Sequence, residues 1–205
     1  MAEPEPPKSD ELTPQQHAHV EDVLAWIEKT LGVSRKDRFP DNDWMLIVKF
    51  HAMIETGLNA ALTRQFGAPE LSRVISKLDT GNTATGKVAF AKALEILDPS
   101  SAVFIQKLSE LRNFCVHDVR NFGFQLEKYL DSLSEDKRKE LVKPVMKVVE
   151  SATNFREALF GGVIKIMMEL QIHDLRCENR DLRAKVYQRG HELYEKQKES
   201  NPNKG

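Results

Sequence analysis

Apolar residues recur every three or four positions along most of the chain, the spacing typical of amphipathic α-helices. No run of useful length alternates between apolar and polar positions, as a half-buried strand would. The sequence therefore predicts an all-α fold. The predicted helices span residues 13–31, 43–66, 69–78, 87–97, 99 through 117, 124–133, a segment from 134 that is broken or kinked at 144, and 163–198.

Turn and capping residues set the predicted boundaries. Thr13 and Gln16 form a capping box around Pro14, and Gly67 follows the second helix where a left-handed cap is expected. A charged loop spans residues 33–42. Ser134 is the expected N-cap of the helix that contains Pro144, and Gly161-Gly162 is expected to interrupt the chain before the last helix.

The last helix carries a heptad pattern. With Ile172 at position a, later a positions hold Asn179, Val186 and Leu193, and Leu175 and Leu182 fall at d. This combination favours a parallel two-stranded coiled coil, with Glu178 reaching Arg183 of a partner helix. Arg189 at d weakens the pattern. The sequence leaves two readings open, a homodimer through residues 168–193 and a helix folded back on its own bundle.

Length and composition suit one domain. The chain has 205 residues, of which 30% are charged and 40% hydrophobic, and a formal net charge of −1. This balance argues against broad, sequence-independent nucleic-acid binding. We expect a disordered tail at 1–12, a bundle core at 13–160 and a dimerisation helix at 163–198. Two distant cysteines, the absence of a signal peptide and the absence of a membrane-length apolar run favour a reduced, cytoplasmic location.

One glycine-rich segment resembles a phosphate-binding loop. Residues 81–87 match G-x-x-x-x-G-K, but Val88 stands where a hydroxyl would bind magnesium, and the preceding segment reads as a helix rather than a strand. We therefore expect a structural turn, and we predict no cofactor.

His51 and Glu55 lie four residues apart on an apolar helix. The pair lacks a third ligand at metal-binding spacing, so no metal site is predicted. Glu55 is instead expected to pair with a cation from another helix, with Arg112 as the first choice. His51 is expected to be a hydrogen-bonded structural histidine.

The candidate site is the segment Leu111 to Asp118, which places Arg112, Asn113 and His117 late in an apolar helix. Arginine binds phosphate oxygens in a planar fork, and histidine exchanges a proton near neutral pH. On a straight helix Arg112 and His117 point about 140° apart, whereas Asn113 and His117 share a face. The arginine must therefore reach round the helix, or a two-fold partner must complete the site.

The Arg112-Asn113-x-x-x-His117 motif resembles the R-x4–6-H motif of the HEPN superfamily. The wider stretch from about Trp44 to Asp118 resembles the mannitol-operon repressor family, whose core is HEPN-like. The shared residues are Glu55, Leu78-Asp79-Thr80-Gly81, Gly86, Leu94-Glu95-Ile96-Leu97, Leu111-Arg112 and His117-Asp118. The resemblance implies a HEPN-like helical bundle over about residues 44–133.

For catalytic members the resemblance implies a dimeric, metal-independent endoribonuclease of the toxin or defence type. His117 would move protons, Arg112 would stabilise charge on the phosphoryl oxygens, and Asn113 would orient His117 or the phosphate. His51, Glu55 and Asp118 would support them. RNA would be the substrate, and an antitoxin or regulator a protein partner. The mannitol-repressor branch implies instead a non-enzymatic regulator that binds another protein.

The enzyme, the scaffold and a DNA-binding repressor each predict a different structure. An enzyme predicts that Arg112 and His117 face a common, accessible cleft with basic lining from Lys107, Arg120 or a partner chain. A scaffold predicts that both residues are buried and fully hydrogen-bonded. A sequence-specific DNA-binding repressor would need an exposed basic recognition helix. The best cluster, residues 137–139, has acidic neighbours and reads as a solvated charged turn.

Overall fold

The computed structural model describes Glu21, Asp22, Ala25 and residues 42–200, with side chains for all of these except Val119 and residues 193–200. Within residues 42–200 the chain is all-helical, which confirms the predicted fold class. The seven α-helices are α1 (Asp43–Phe66), α2 (Ser72–Ile75), α3 (Lys87–Ala93), α4 (Pro99–His117), α5 (Leu126–Ser132), α6 (Glu135–Val148) and α7 (Phe155–Ser200). Short 3-10 turns occupy Pro69–Leu71 and Val119–Gly123.

Helix α1 has the boundaries that its sequence predicts. The Asn42 side chain accepts a hydrogen bond from the Met45 amide at 2.8 Å, which caps the first turn. Gly67 ends the helix at φ 62°, a left-handed conformation that glycine adopts without steric cost. The buried face of α1 supplies Leu46, Ile47, Phe50, Met53, Ile54, Leu58, Ala61 and Leu62 to the core.

Helix α4 lies at the centre of the bundle, where it packs against α1 and α6, while α7 packs against α1 and α6. Asp98 caps it by accepting from the Ser101 amide at 2.9 Å, and Pro99 occupies the first turn. The predicted buried stripe is confirmed: Phe104, Leu108, Leu111 and Cys115 are all buried. The buried Cys115 thiol has its pKa raised to about 11, chiefly by burial.

The predicted break at Gly161-Gly162 is wrong. Helix α7 runs without interruption from Phe155, so it also begins before the predicted residue 163. A Cβ atom on Gly162 would lie 2.2 Å from the buried Phe104 ring. This glycine therefore lets α7 approach α4 closely, and packing outweighs its low helix propensity.

Helix α6 begins after Ser134, the predicted N-cap, although the Ser134 side chain makes no capping hydrogen bond, and the helix is not broken at Pro144. Two other boundaries differ from the sequence-based expectation. Helix α3 ends at Ala93 rather than Leu97, because Glu95 takes a left-handed φ of 55° and turns Ile96 back into the core. The segment 69–78 is a 3-10 turn followed by the short α2.

The predicted tail at 1–12 and helix at 13–31 lie outside the described residues, apart from the helical Glu21, Asp22 and Ala25. No helix in the described part of the chain combines the length and apolar character needed to cross a bilayer.

Candidate functional site at the end of helix α4

The motif residues lie in the last turns of α4, where the helix surfaces from the core. Arg112 is half-buried, and Asn113 and His117 are exposed. The Arg112 guanidinium bends round the helix, and its Nη1 donates to Asn113 Oδ1 at 3.1 Å. Asn113 lies one turn before His117 on the same face. The hydrogen bond joins Arg112 to Asn113, and Asn113 shares its helix face with His117.

Asp118 ends α4 and orders the turn that follows. Its Oδ1 accepts from the Arg120 amide at 2.9 Å, and its Oδ2 pairs with Arg120 Nη2 at 2.6 Å. The hydrogen bonds from Arg120 lower the pKa of Asp118, so the carboxylate is charged at neutral pH. Arg120 is close to the motif, as expected for a basic lining residue, but an acidic neighbour balances its charge.

Two aromatic residues that the sequence argument did not single out adjoin the same helix end. Trp44 Nε1 donates to the Cys115 carbonyl at 2.8 Å, two residues before His117. The Phe122 ring stacks on Trp44 with centroids 4.6 Å apart, yet Phe122 remains 61% exposed. Asn121 holds this turn by donating to the Phe114 carbonyl at 2.6 Å. Little in the sequence indicates this stack, because Phe122 and Trp44 are far apart in the chain.

The predicted pairing of Glu55 with Arg112 is wrong. Glu55 Oε1 instead pairs with Lys87 Nζ at 2.5 Å, and Lys87 is completely buried. Burial raises the pKa of Glu55, but the hydrogen bond and charge of Lys87 outweigh it and lower the pKa overall. From the sequence, Lys87 was considered only as part of the 81–87 turn and was not identified as the partner of Glu55.

His51 is buried between Glu55 and the Arg112 side of α4. Its Nδ1 lies 3.9 Å from Glu55 Oε2. Burial lowers the pKa of His51, Glu55 opposes this, and the positive charges of Arg112 and Lys87 reinforce it. His51 is therefore neutral at pH 7. Its contact with Glu55 is longer than a hydrogen bond, so the predicted hydrogen-bonded role stays a prediction. Among the described residues, no group of three His, Cys, Asp or Glu side chains is placed to hold a metal ion.

Lys107 does not line the site. Its ammonium pairs with Glu110 at 3.0 Å and with Glu140 of α6 at 2.7 Å. Burial lowers the pKa of Lys107, but the hydrogen bonds that its ammonium donates to Glu140 and Glu110 outweigh this effect, and the pKa is raised. The lysine links α4 to α6, so of the sources of basic lining that the enzyme alternative named, Lys107 is already engaged in ion pairs.

The segment 81–87 forms a structural turn, as the sequence indicated. The Asn82 amide donates to Asp79 Oδ1 at 2.6 Å, and the Ala84 and Thr85 amides donate to Asn82 Oδ1. A Cβ on Gly86 would lie 2.3 Å from the Asp79 carbonyl oxygen, so this close backbone approach requires glycine. These amides and the buried lysine are already engaged, which leaves them unavailable to a phosphate.

The basic cluster at 137–139 lies on α6 beside acidic partners. Arg138 pairs with Asp131 at 3.2 Å, and Lys139 pairs with Glu135 at 2.5 Å. These pairs are exposed and their charges are locally balanced. The cluster therefore lacks the unbalanced positive surface that a recognition helix uses to contact DNA.

Comparison with known proteins finds no matching family model, no matching curated protein and no matching solved structure.

Proposed function

We propose that this chain is a HEPN-like, metal-independent endoribonuclease whose site is formed by Arg112, Asn113 and His117. The observation that carries the proposal is the bend of the Arg112 guanidinium to Asn113, one helical turn before the exposed His117. In this proposal the cation, the amide and the imidazole act together at this helix end, where Asn113 and His117 are exposed. These are groups that phosphodiester transfer requires.

In this proposal the attacking group is the ribose 2′-hydroxyl. The His117 imidazole takes its proton as the 2′ oxygen bonds to phosphorus. Arg112 stabilises the charge that develops on the phosphoryl oxygens, and Asn113 orients the phosphate or the imidazole. The imidazolium of His117 then protonates the departing 5′ oxygen. The products are a 2′,3′-cyclic phosphate and a 5′-hydroxyl, and no water is consumed.

The aromatic pair beside α4 supports unpaired RNA as the substrate. Exposed Phe122 presents a ring that Trp44 backs on its other side. Bases stack on such platforms with little sequence preference, which matches single-stranded segments. Overall charge does not favour long-range binding to duplexes.

The test is cleavage of mixed single-stranded RNA in excess chelator by the full-length protein. Wild type is compared with His117→Ala and with His191→Ala, a matched control at an exposed histidine on α7. We expect wild type and His191→Ala to cut equally and His117→Ala to lose at least 100-fold in rate.

Equal cleavage by His117→Ala would remove this histidine from the mechanism. Cleavage by none of the three proteins would contradict the nuclease proposal and favour the second candidate function.

The second candidate is a non-enzymatic regulator of the mannitol-repressor-like type, which acts by binding another protein. It is favoured by the lack of unbalanced positive charge near the motif. Arg120 forms an ion pair with Asp118, and Lys107 forms ion pairs with Glu110 and Glu140. A regulator keeps its activity when His117 is replaced. Partner binding that survives His117→Ala, in a protein without nuclease activity, supports this function.

A further inference from the structure

The second half of α7 leaves the bundle. Every residue from Leu182 to Glu192 is exposed, whereas Leu170, His173 and Cys177 are buried. An isolated helix of this length is marginal in water, because most helix stability in proteins comes from packing of an apolar face. We therefore expect the exposed half of α7 to pack against another surface.

Where α7 does pack on its own bundle, it uses one particular face. Cys177 Sγ lies 3.5 Å from Gln65 Oε1 of α1, and Arg64 of α1 lies 3.7 Å from Asp174 and 3.6 Å from Asp181. In the heptad register with Ile172 at a, Asp174 and Asp181 occupy c and Cys177 occupies f, while the buried His173 occupies b. Those positions face away from the a and d positions on a helix with 100° per residue.

The a and d positions are left uncovered. Exposure rises along this seam from 40% at Ile172, through Leu175 and Leu182, to 71% at Val186. If α7 folded its heptad face back on its own bundle, Ile172 and Leu175 would be buried. The observed packing uses the opposite face, so the helix presents two separate apolar surfaces.

We infer that the seam Ile172, Leu175, Asn179, Leu182 and Val186 binds the same seam of a second copy of this chain, as a parallel two-stranded coiled coil. Asn179 is the residue that selects this occupant. An asparagine at a is costly against a purely apolar partner, but it pairs with its own equivalent across a parallel two-fold axis.

Charge complementarity points the same way. In a parallel pair, Glu178 at g of one chain faces Arg183 at e of the other, twice by symmetry. Both residues are exposed, and no ion pair between described residues joins either of them to another side chain. This inference stands without the proposed nuclease activity, because none of its residues belongs to that site.

The first test measures association of the full-length protein by sedimentation over a wide concentration range. We expect a monomer–dimer equilibrium in wild type and at least 100-fold weaker association in Leu182→Glu, because two leucines leave the seam and two charges enter it. The control is Tyr187→Glu, at an apolar residue that is 80% exposed but lies at b. It should dimerise like wild type.

The second test fixes the orientation. Under mild oxidation, Val186→Cys should form a disulfide-linked dimer. In a parallel pair, residue 186 of one chain faces residue 186 of the other, whereas in an antiparallel pair of the same seam it would lie near the opposite end of the seam. Tyr187→Cys and wild type, whose Cys115 and Cys177 are buried, should not. A wild type that stays monomeric at all concentrations, an undiminished dimer in Leu182→Glu, or cross-linking of Tyr187→Cys but not Val186→Cys would overturn the inference.

Discussion

Replacing Glu55 by glutamine tests how the core beneath the candidate site is held. The Lys87 ammonium is completely buried, and its closest partner is Glu55 at 2.5 Å. Its other contacts, the Ser76 carbonyl at 3.4 Å and the Thr80 hydroxyl at 3.5 Å, are long. Glu55→Gln therefore leaves a buried charge without a compensating carboxylate.

The size of the expected destabilisation depends on how deeply Lys87 and Glu55 are buried. Removal of one partner from a fully buried ion pair costs about 3–5 kcal/mol. The Glu55 side chain is about one third exposed, so solvent already screens part of the interaction. We therefore expect Glu55→Gln to lower the free energy of unfolding by about 2–3 kcal/mol at pH 7. Because the pKa of folded Glu55 lies below its unfolded value, this difference should shrink as the pH falls below about 4.5.

Urea unfolding of the single and double variants provides the measurement. In the cycle of Glu55→Gln with Lys87→Met, we expect a coupling energy of about 2 kcal/mol. The control cycle of Glu55→Gln with Arg112→Gln should couple by less than about 0.5 kcal/mol. A large coupling to Arg112 and a small one to Lys87 would refute this reasoning and restore the sequence-based pairing.

Two further predictions concern α7. Burial raises the pKa of Glu169 to about 7, and nearby Asp98 adds to this. Because the folded protein disfavours ionised Glu169, the free energy of unfolding should fall as the pH rises from about 4.5 to 7. Thermal unfolding should therefore show that Glu169→Gln stabilises the protein by up to about 3 kcal/mol at pH 8 and by little at pH 4. Gly162→Ala should destabilise by about 1–3 kcal/mol in urea because the new methyl group meets Phe104. Gly190→Ala, where a Cβ meets nothing within 4 Å, should stabilise the exposed helix by up to about 1 kcal/mol; the opposite order of the two glycine variants would contradict the packing account.

The sequence predicted features that depend on local periodicity and capping. The limits of α1, the buried stripe of α4 and the structural turn at 81–87 follow from apolar spacing and glycine positions alone. Features that depend on distant contacts were missed. Gly162 reads locally as a helix breaker, and only the Phe104 ring opposite it explains the unbroken α7.

At the candidate site too, the sequence predicted the local features and missed those that depend on distant contacts. Periodicity placed Asn113 and His117 on one face, and the structure adds the hydrogen bond from Arg112 to Asn113. Glu55 pairs with a cation from another helix, as predicted, but the cation is Lys87 rather than Arg112, because tertiary packing decides between several cations. The Trp44–Phe122 stack joins residues almost eighty positions apart, which no local pattern indicates.

The most direct test of the proposed nuclease site uses an oligodeoxynucleotide that contains one ribonucleotide, incubated with the protein in excess chelator. We expect a single cut on the 3′ side of the ribose, with a 2′,3′-cyclic phosphate end, and the loss of that cut in both Arg112→Ala and His117→Ala. Cleavage that persists when a 2′-O-methyl group blocks the ribose, or that survives either substitution, would contradict the assignment of this helix end as the catalytic site.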